Sequence, residues 1–397
     1  MKYASILDRL AGLGGAKWEL HSRAGDLAAQ GRDIIDLTIG NPDTPTSPDL
    51  IDTAAAAMRA GRTAYSDGRG EANLRAALSA RYSARVGRPI GADQFLCLPG
   101  TQTALYTVLA GLSETGDEVL VGDPMYATYE GVVAASGARL VPVPLRAENG
   151  FRIAAADIAA RITPQTRALL LNTPHNPTGA VLTARDIAEI GALARRHDFW
   201  LLVDEVYEEL VFEGVTFTSP LADPDLADRV VVMSSISKSH AAPGFRSGWC
   251  VGPAEFASRL LPLSETFLFG NQPFIADMTA RAVASASVTA RGMARRFARR
   301  ADLLERKLSN AAALAVHKPD AGMFALIDIS ATGRDDHAYA LDLLESHGVA
   351  TMPGTSFGAS LAGWLRVALT VEDATLERAC NRIVAHANSF RKIGIAS

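Results

Sequence analysis

The sequence predicts an α/β protein: a large domain with a seven-stranded, mostly parallel sheet between helices, and a smaller α/β domain beside it. Two patterns carry this expectation. Seven short apolar runs rich in β-branched residues alternate with helical patterns between residues 95 and 251. These runs are almost continuously apolar, as strands covered on both faces must be, and not alternately apolar and polar. At 397 residues, 48% of them hydrophobic, the chain is long enough for two or three domains with sizeable cores.

The elements follow in order. Ser47 and Pro48 suit an N-cap and first helical position, the stripe Leu50, Ile51, Ala54, Ala55 and Met58 follows at helical spacing, and Gly61 ends the helix. Strand runs cover 95–98, 118–121, 139–143, 168–171, 200–203, 230–233 and 248–251. Between the first two, Ala104, Leu105, Val108, Leu109 and Leu112 mark a helix; Thr183 with Asp186 three residues on opens another. From 274 to 309 the pattern is helical and rich in Arg. Residues 322–329, 349–352 and 365–368 then read as strands around a helix at 337–346, a second and smaller α/β layer.

Composition narrows the function classes. The net charge of −4 argues against a dedicated nucleic-acid binder. Arg291, Arg295, Arg296, Arg299 and Arg300 are followed by Asp302 and Glu305, so that helix reads as a solvated face. Three widely spaced cysteines, Cys97, Cys250 and Cys380, suit neither a zinc site nor a disulfide framework, and a reducing compartment fits best. Asp8 and Arg9 interrupt the N-terminal apolar stretch, unlike a signal peptide, and the longest charge-free stretch, 94–113, is broken by Pro99 and Gly100. The expectation is a soluble, cytoplasmic protein with no metal, nucleic-acid or membrane partner.

The chemistry concentrates where strand runs end. Lys238 lies just beyond the 230–233 run, at the sheet edge where open α/β folds bind ligands. It can be a surface lysine, a phosphate contact, or an amine kept neutral by burial and nearby cations for attack on a carbonyl. Asp204 ends the run before it and puts a carboxylate at the same edge, as a metal ligand, an ion-pair partner or the partner of a protonated ring nitrogen. No second carboxylate or His with metal spacing accompanies it. Pro99-Gly100-Thr101-Gln102 leads into a helix whose N-terminal N–H groups, with the Thr101 hydroxyl, can receive a phosphate. Arg246, eight residues past Lys238, has the planar fork for the same anion. Asn176 sits in a turn-rich loop after the 168–171 run, Tyr207 lies three residues after Asp204, and Tyr126 follows Asp123-Pro124-Met125. Each suits an ordinary turn or packing role alone; together they suit a pyridoxal phosphate site, in which a carboxylate keeps the ring able to accept electrons.

The ordered set Asn176-Pro177-Thr178-Gly179, Asp204-x-x-Tyr207, Ser235-x-x-Lys238 and Gly244-x-Arg246, with Arg366 near the end, resembles the class I and II pyridoxal-phosphate aminotransferases across nearly the whole chain. That resemblance implies fold type I, with a small domain from residues 1–49 and 291–397 around a large cofactor-binding domain at 50–290. It implies Lys238 as the Schiff-base lysine, Asp204 on the pyridine nitrogen, Asn176 and Tyr207 on the phenolate oxygen, and Tyr126 on the ring face. Gly100, Thr101, Gln102, Ser235 and Arg246 would hold the phosphate, while Arg366, with Gly40 and Asn176, would hold the substrate. It further implies a homodimer in which Tyr65 reaches the partner's phosphate. His175, where many relatives carry Asn, is either an acid–base group or a hydrogen-bonding residue.

Within the family, Ala16 to His21, Tyr65-x-Asp67-x-Arg69-Gly70, Asp123 to Tyr126 and Ser237 to His240 resemble the arginine–pyruvate branch. This implies an amino donor of the guanidino type, a keto acceptor such as pyruvate and ping-pong kinetics, with Trp18, Glu19 and Asp67 as candidates for the guanidinium. A broad aromatic, alanine or aspartate aminotransferase, a lyase or arginine oxidase using the same cofactor, and a cofactor-sensing regulator are the competing readings. A regulator would need a DNA-binding domain, and only 49 residues precede the sheet domain.

Overall fold

Each of the seven strand runs is a strand, and all seven lie in one sheet. The computed structural model describes residues 2–13 and 16–389. A short strand β1 (Ile35–Asp36) precedes β2 (Phe95–Leu98), β3 (Glu118–Asp123), β4 (Arg139–Pro144), β5 (Thr166–Asn172), β6 (Trp200–Asp204), β7 (Val230–Ser235) and β8 (Gly248–Val251). The spatial order is β2-β8-β7-β6-β5-β3-β4, and only β8 runs against its neighbours. The carboxyl ends of β2, β3, β5, β6 and β7 therefore open at one edge, where β8 begins.

Both faces of this sheet are buried. Along β6, Leu201 and Val203 join one hydrophobic core and Leu202 the opposite one; β7 divides Val230 and Val232 from Val231 and Met233 in the same way. The two-residue period of a strand sends successive side chains to opposite faces, so apolar cores on both sides require a continuous apolar run. Fully burying one such side chain contributes about 1.5–3 kcal/mol, against roughly 0–1 kcal/mol for an exposed ion pair on the covering helices. The cores hold the sheet; the surface pairs tune it.

A third core surrounds the C-terminal strands. There β9 (Ala315–His317), β10 (Phe324–Asp328), β12 (Met352–Pro353) and β13 (Trp364–Ala368) form an antiparallel sheet ordered β12-β13-β10-β9. The remaining strand, β11 (Val349–Ala350), pairs in parallel with β1. Ala368 N–H also donates to the Leu37 carbonyl at 2.8 Å. Residues 35–37 are thus tied to the C-terminal unit, which carries Thr38 to Gly40 to the sheet edge.

Four expectations are corrected. The 274–309 run is two helices, Pro273–Val283 and Val288–Leu308, because Ser287 caps the second by accepting from Ala290 N–H. The 349–352 run is split between two sheets at Thr351. In the helix Pro48–Arg59 the buried stripe is Leu50, Ala54 and Ala57, while Ile51 and Met58 face outward and Ser47 makes no side-chain cap bond. The Arg-rich helix is not simply solvated: Arg300 is buried and joins Asp43 and Asp373 at 2.6 and 2.8 Å, clamping the N-terminal segment to the C-terminal unit. No helix among the described residues is long and apolar enough to cross a membrane.

Candidate active site

The open sheet edge brings the chemical residues together by register. Asn172 and Asp204, the last residues of β5 and β6, are direct neighbours. Strand β7 ends at Ser235, whose hydroxyl accepts from Ser237 N–H and starts the single turn Ile236–Ser239 that carries Lys238. These ends line a cavity of about 220 Å³ whose walls include Trp18, Gly40, Thr101, Gln102, Tyr126, Asn176, Tyr207, Arg246 and Arg366. Arg366 comes from β13, so the cavity lies between the two sheets.

The electrostatics suit a neutral amine facing an acid. Burial pushes the Lys238 ammonium down to about 8, helped by the charges of Arg366 and Arg246 and opposed by Asp204. Its Nζ donates to the Gly40 carbonyl at 3.0 Å. Burial also pushes the Asp204 carboxyl up to about 6, against the stabilising donors Tyr129 and Val206 N–H and the Lys238 charge. The Arg366 guanidinium lies between the rings of Phe324 and Phe357, 3.9 and 4.3 Å from their centroids. It donates to the Thr38 carbonyl at 2.5 Å and to Asn176 Oδ1 at 3.1 Å, while its buried Nε has no hydrogen-bond partner among the described residues. A fixed planar fork with a donor to spare at a cavity wall suits a carboxylate.

The other end suits a phosphate. The helix Gly100–Leu112 begins at the cavity, with Thr101 and Gln102 in its wall, and the buried Thr101 hydroxyl has no hydrogen-bond partner among the described residues. Gly100 has φ +83°, and a Cβ there would lie 2.4 Å from the Arg246 guanidinium, so only glycine leaves this cradle open. Gly248 is equally constrained, since a Cβ would meet the Gly100 Cα at 2.8 Å. A phosphorylated aromatic ring fits between these donors and Asp204.

Three expected residues lie elsewhere in this chain. Tyr65 is 86% exposed and packs edge-on against Phe269, 5.1 Å between ring centroids. Asp67 closes its own turn by accepting from Arg69 N–H at 2.8 Å, and Glu19, on the exposed first turn of its helix, faces His337 at 3.4 Å. None of the three lines the cavity. His175 does not line it either; burial pushes its imidazole down to about 4, and its Nδ1 lies 2.8 Å from the Thr178 hydroxyl. A ring neutral at physiological pH and engaged in its own loop is a hydrogen-bonding residue there.

Two residues of the site escaped the sequence reading. Asn172 donates to the Asp204 carbonyl at 3.0 Å and accepts from Asn176 N–H at 2.7 Å, which locks the Asn176 loop to β6. Tyr129 donates to Asp204 Oδ2 at 2.8 Å. A polar residue ending a buried run signalled the first; nothing in spacing distinguishes Tyr129 from a packed helix residue.

Residues 32–383 match the family described as aminotransferase class I and II. The chain belongs to that family. It is 42% identical to the arginine–pyruvate transaminase AruH of Pseudomonas aeruginosa over 96% of this chain and 97% of that protein. An aspartate/prephenate aminotransferase of Cereibacter sphaeroides is 32% identical over 92% and 94% of the two chains. Among solved structures, the aspartate aminotransferase of Rhizobium meliloti superposes with a TM-score of 0.93 at 26% identity, covering 98% and 99% of the chains. That of Thermus thermophilus with maleate gives 0.90 at 29% identity, covering 97% and 100%. This aminotransferase is accordingly a pyridoxal-phosphate enzyme of fold type I.

Proposed function

We propose that this aminotransferase moves the amino group of arginine, or a closely related guanidino amino acid, to pyruvate by a ping-pong mechanism. The observation that carries the substrate is the 42% identity, over nearly all of both chains, to a protein named for that donor and acceptor. Bound in the cavity, pyridoxal phosphate supplies an electron-accepting ring. Asp204 would hold positive charge on the ring nitrogen, and Asn176 and Tyr207 would donate to the phenolate oxygen. Arg246, Ser235, Thr101 and the N–H groups of Gly100 and Gln102 would hold the phosphate, and Tyr126 would cover the ring face. Arg366, with Asn176 and the Gly40 backbone, grips the substrate carboxylate and so fixes which Cα bond faces the lysine. Lys238 would anchor the cofactor, and its amine, kept partly neutral by burial, would be the group that takes up the proton from the substrate Cα.

The side-chain end follows from what lines the wall. Trp18 offers an aromatic face to a guanidinium. Asp204 is the only carboxylate lining the cavity among the described residues, and it belongs to the ring end. The anionic partner of a guanidinium therefore comes from outside this cavity, and Asp67, two residues from Tyr65 on one exposed loop, is the residue assigned; Glu19 would have to leave His337 to reach it. With pyruvate as acceptor and alanine as readout, arginine is expected to show at least about tenfold higher kcat/KM than leucine, aspartate or phenylalanine, the ratio a single charged contact supports. Equal rates would overturn the guanidino reading and leave the family assignment intact.

The same loop calls for a second copy of the chain. Tyr65 and Phe269 are large apolar rings left in solvent, 86% and 63% exposed. A homodimer in which Tyr65 completes the partner's phosphate site covers them. Mixing inactive Lys238→Ala chains with inactive Tyr65→Ala chains, under conditions that let subunits exchange, is expected to restore about a quarter of wild-type activity, because half of the dimers then hold one intact site. Failure of any activity to return would place Tyr65 outside the shared site.

A further inference from the structure

We propose that Tyr129 is a positioning residue: its hydroxyl fixes the carboxylate that faces the cofactor's ring nitrogen, and so controls how strongly the ring is held and polarised. Tyr129 is the first residue of the helix Tyr129–Ser136 and is fully buried. Its hydroxyl donates to Asp204 Oδ2 at 2.8 Å, while Val206 N–H donates to Oδ1 at 3.1 Å. No other side-chain hydrogen bond to this carboxylate is present among the described residues. One oxygen is thus held by the backbone two residues past the end of β6 and the other from a different element, which fixes the carboxylate at both oxygens. Without the hydroxyl, one oxygen of a buried anion loses its donor.

The surroundings separate this role from packing. The Tyr129 ring stands edge-on to Tyr126, 5.5 Å between centroids, so removing only the hydroxyl leaves the aromatic pair in place. The hydroxyl itself is held neutral, its ionisation pushed far up by burial and by Asp204. It therefore acts as a donor to the anion and not as a proton carrier. The charged and titratable groups facing Asp204 are Lys238 across the cavity, Tyr126, Tyr207 and Glu205 next in the chain. None of these replaces the lost donor: Glu205 turns to Arg85 and Ser219, and the Lys238 amine turns to Gly40.

The inference rests on the proposed placement of the cofactor ring against Asp204, and the test keeps the two apart. Pyridoxamine 5′-phosphate is titrated into apoenzyme, which reads ring binding without covalent attachment to Lys238. Tyr129→Phe is expected to weaken this binding about 10- to 150-fold, the range for losing one hydrogen bond to a charged group. It is also expected to lower kcat by a similar factor with KM for the amino donor changed less than about twofold. Removing a donor disfavours the anion, so the acid limb of the binding profile should move to higher pH. In an Asp204→Ala background the same change should cost less than about twofold, because the hydroxyl acts only through that carboxylate. Unaltered binding and pH profile in Tyr129→Phe, or equal losses in both backgrounds, would overturn the role of Tyr129. Asp204→Ala binding as tightly as wild type would instead overturn the placement of the ring.

Discussion

Lys238→Ala is expected to lower transamination by at least about 10⁴-fold, the upper end of what one proton-transferring group contributes, and to abolish covalent retention of the cofactor. The geometry explains the size of the effect. Lys238 Nζ lies at the Gly40 carbonyl on the cavity wall, and no other lysine among the described residues lines that cavity. Burial and two arginines lower its basicity to about 8, so a substantial neutral fraction exists at pH 7.5, where an exposed lysine has almost none. Capture of pyridoxal phosphate by wild-type apoenzyme should therefore rise as pH increases through about 8. Borohydride reduction followed by mass measurement checks both statements: wild type keeps the cofactor's mass and the variant does not. Turnover in the variant within tenfold of wild type would remove Lys238 from the chemistry.

The second large effect is expected at Asp204, with opposite signs for activity and apoenzyme stability. Asp204→Asn keeps the shape but cannot hold the ring nitrogen's positive charge, so kcat should fall about 10²- to 10³-fold, the usual loss for one preorganised electrostatic partner. In the apoenzyme, however, burial raises this carboxyl from 3.8 in the unfolded chain to about 6. Between those values the folded state binds more protons than the unfolded state, so this group makes stability decline as pH rises from about 4 to 6. Above that window the full penalty, about 3 kcal/mol, is present. The Asn amide never ionises, and the Tyr129 hydroxyl can turn to accept from it. Apo Asp204→Asn is thus expected to be the more stable protein at pH 8, by up to that amount, and nearly equal to wild type at pH 4. Denaturant melts at the two pH values measure this. A variant less stable than wild type at pH 8 would show that the buried anion is not under strain.

The strand runs were legible because a strand buried on both faces leaves no choice of residue. Helix faces were less so: Ile51 and Met58 share the apolar character of Leu50 but lie outward, since burial there depends on what packs against the helix. The Arg-rich helix misled for a related reason, as charge count does not reveal that Arg300 meets Asp43, far off in sequence. Lys238, Asp204 and Asn176, which share one cavity wall, were legible because each follows or ends a recognisable run, whereas Arg366 entered only through the family resemblance. Tyr129 was not, because its link to Asp204 is a single contact across the sheet edge.

What the sequence by itself determined is the order of buried strands and the polar residues that end them, because burial on two faces and the exit of a strand restrict composition locally. What only the tertiary structure decided is which of those residues face one another. Parallel register sets Asn172 beside Asp204, the pairing of β1 with β11 accompanies the passage of Gly40 to Lys238, and β13 carries Arg366 to Asn176 from 190 positions away. Such contacts depend on how whole elements pack, which no local pattern of residues encodes.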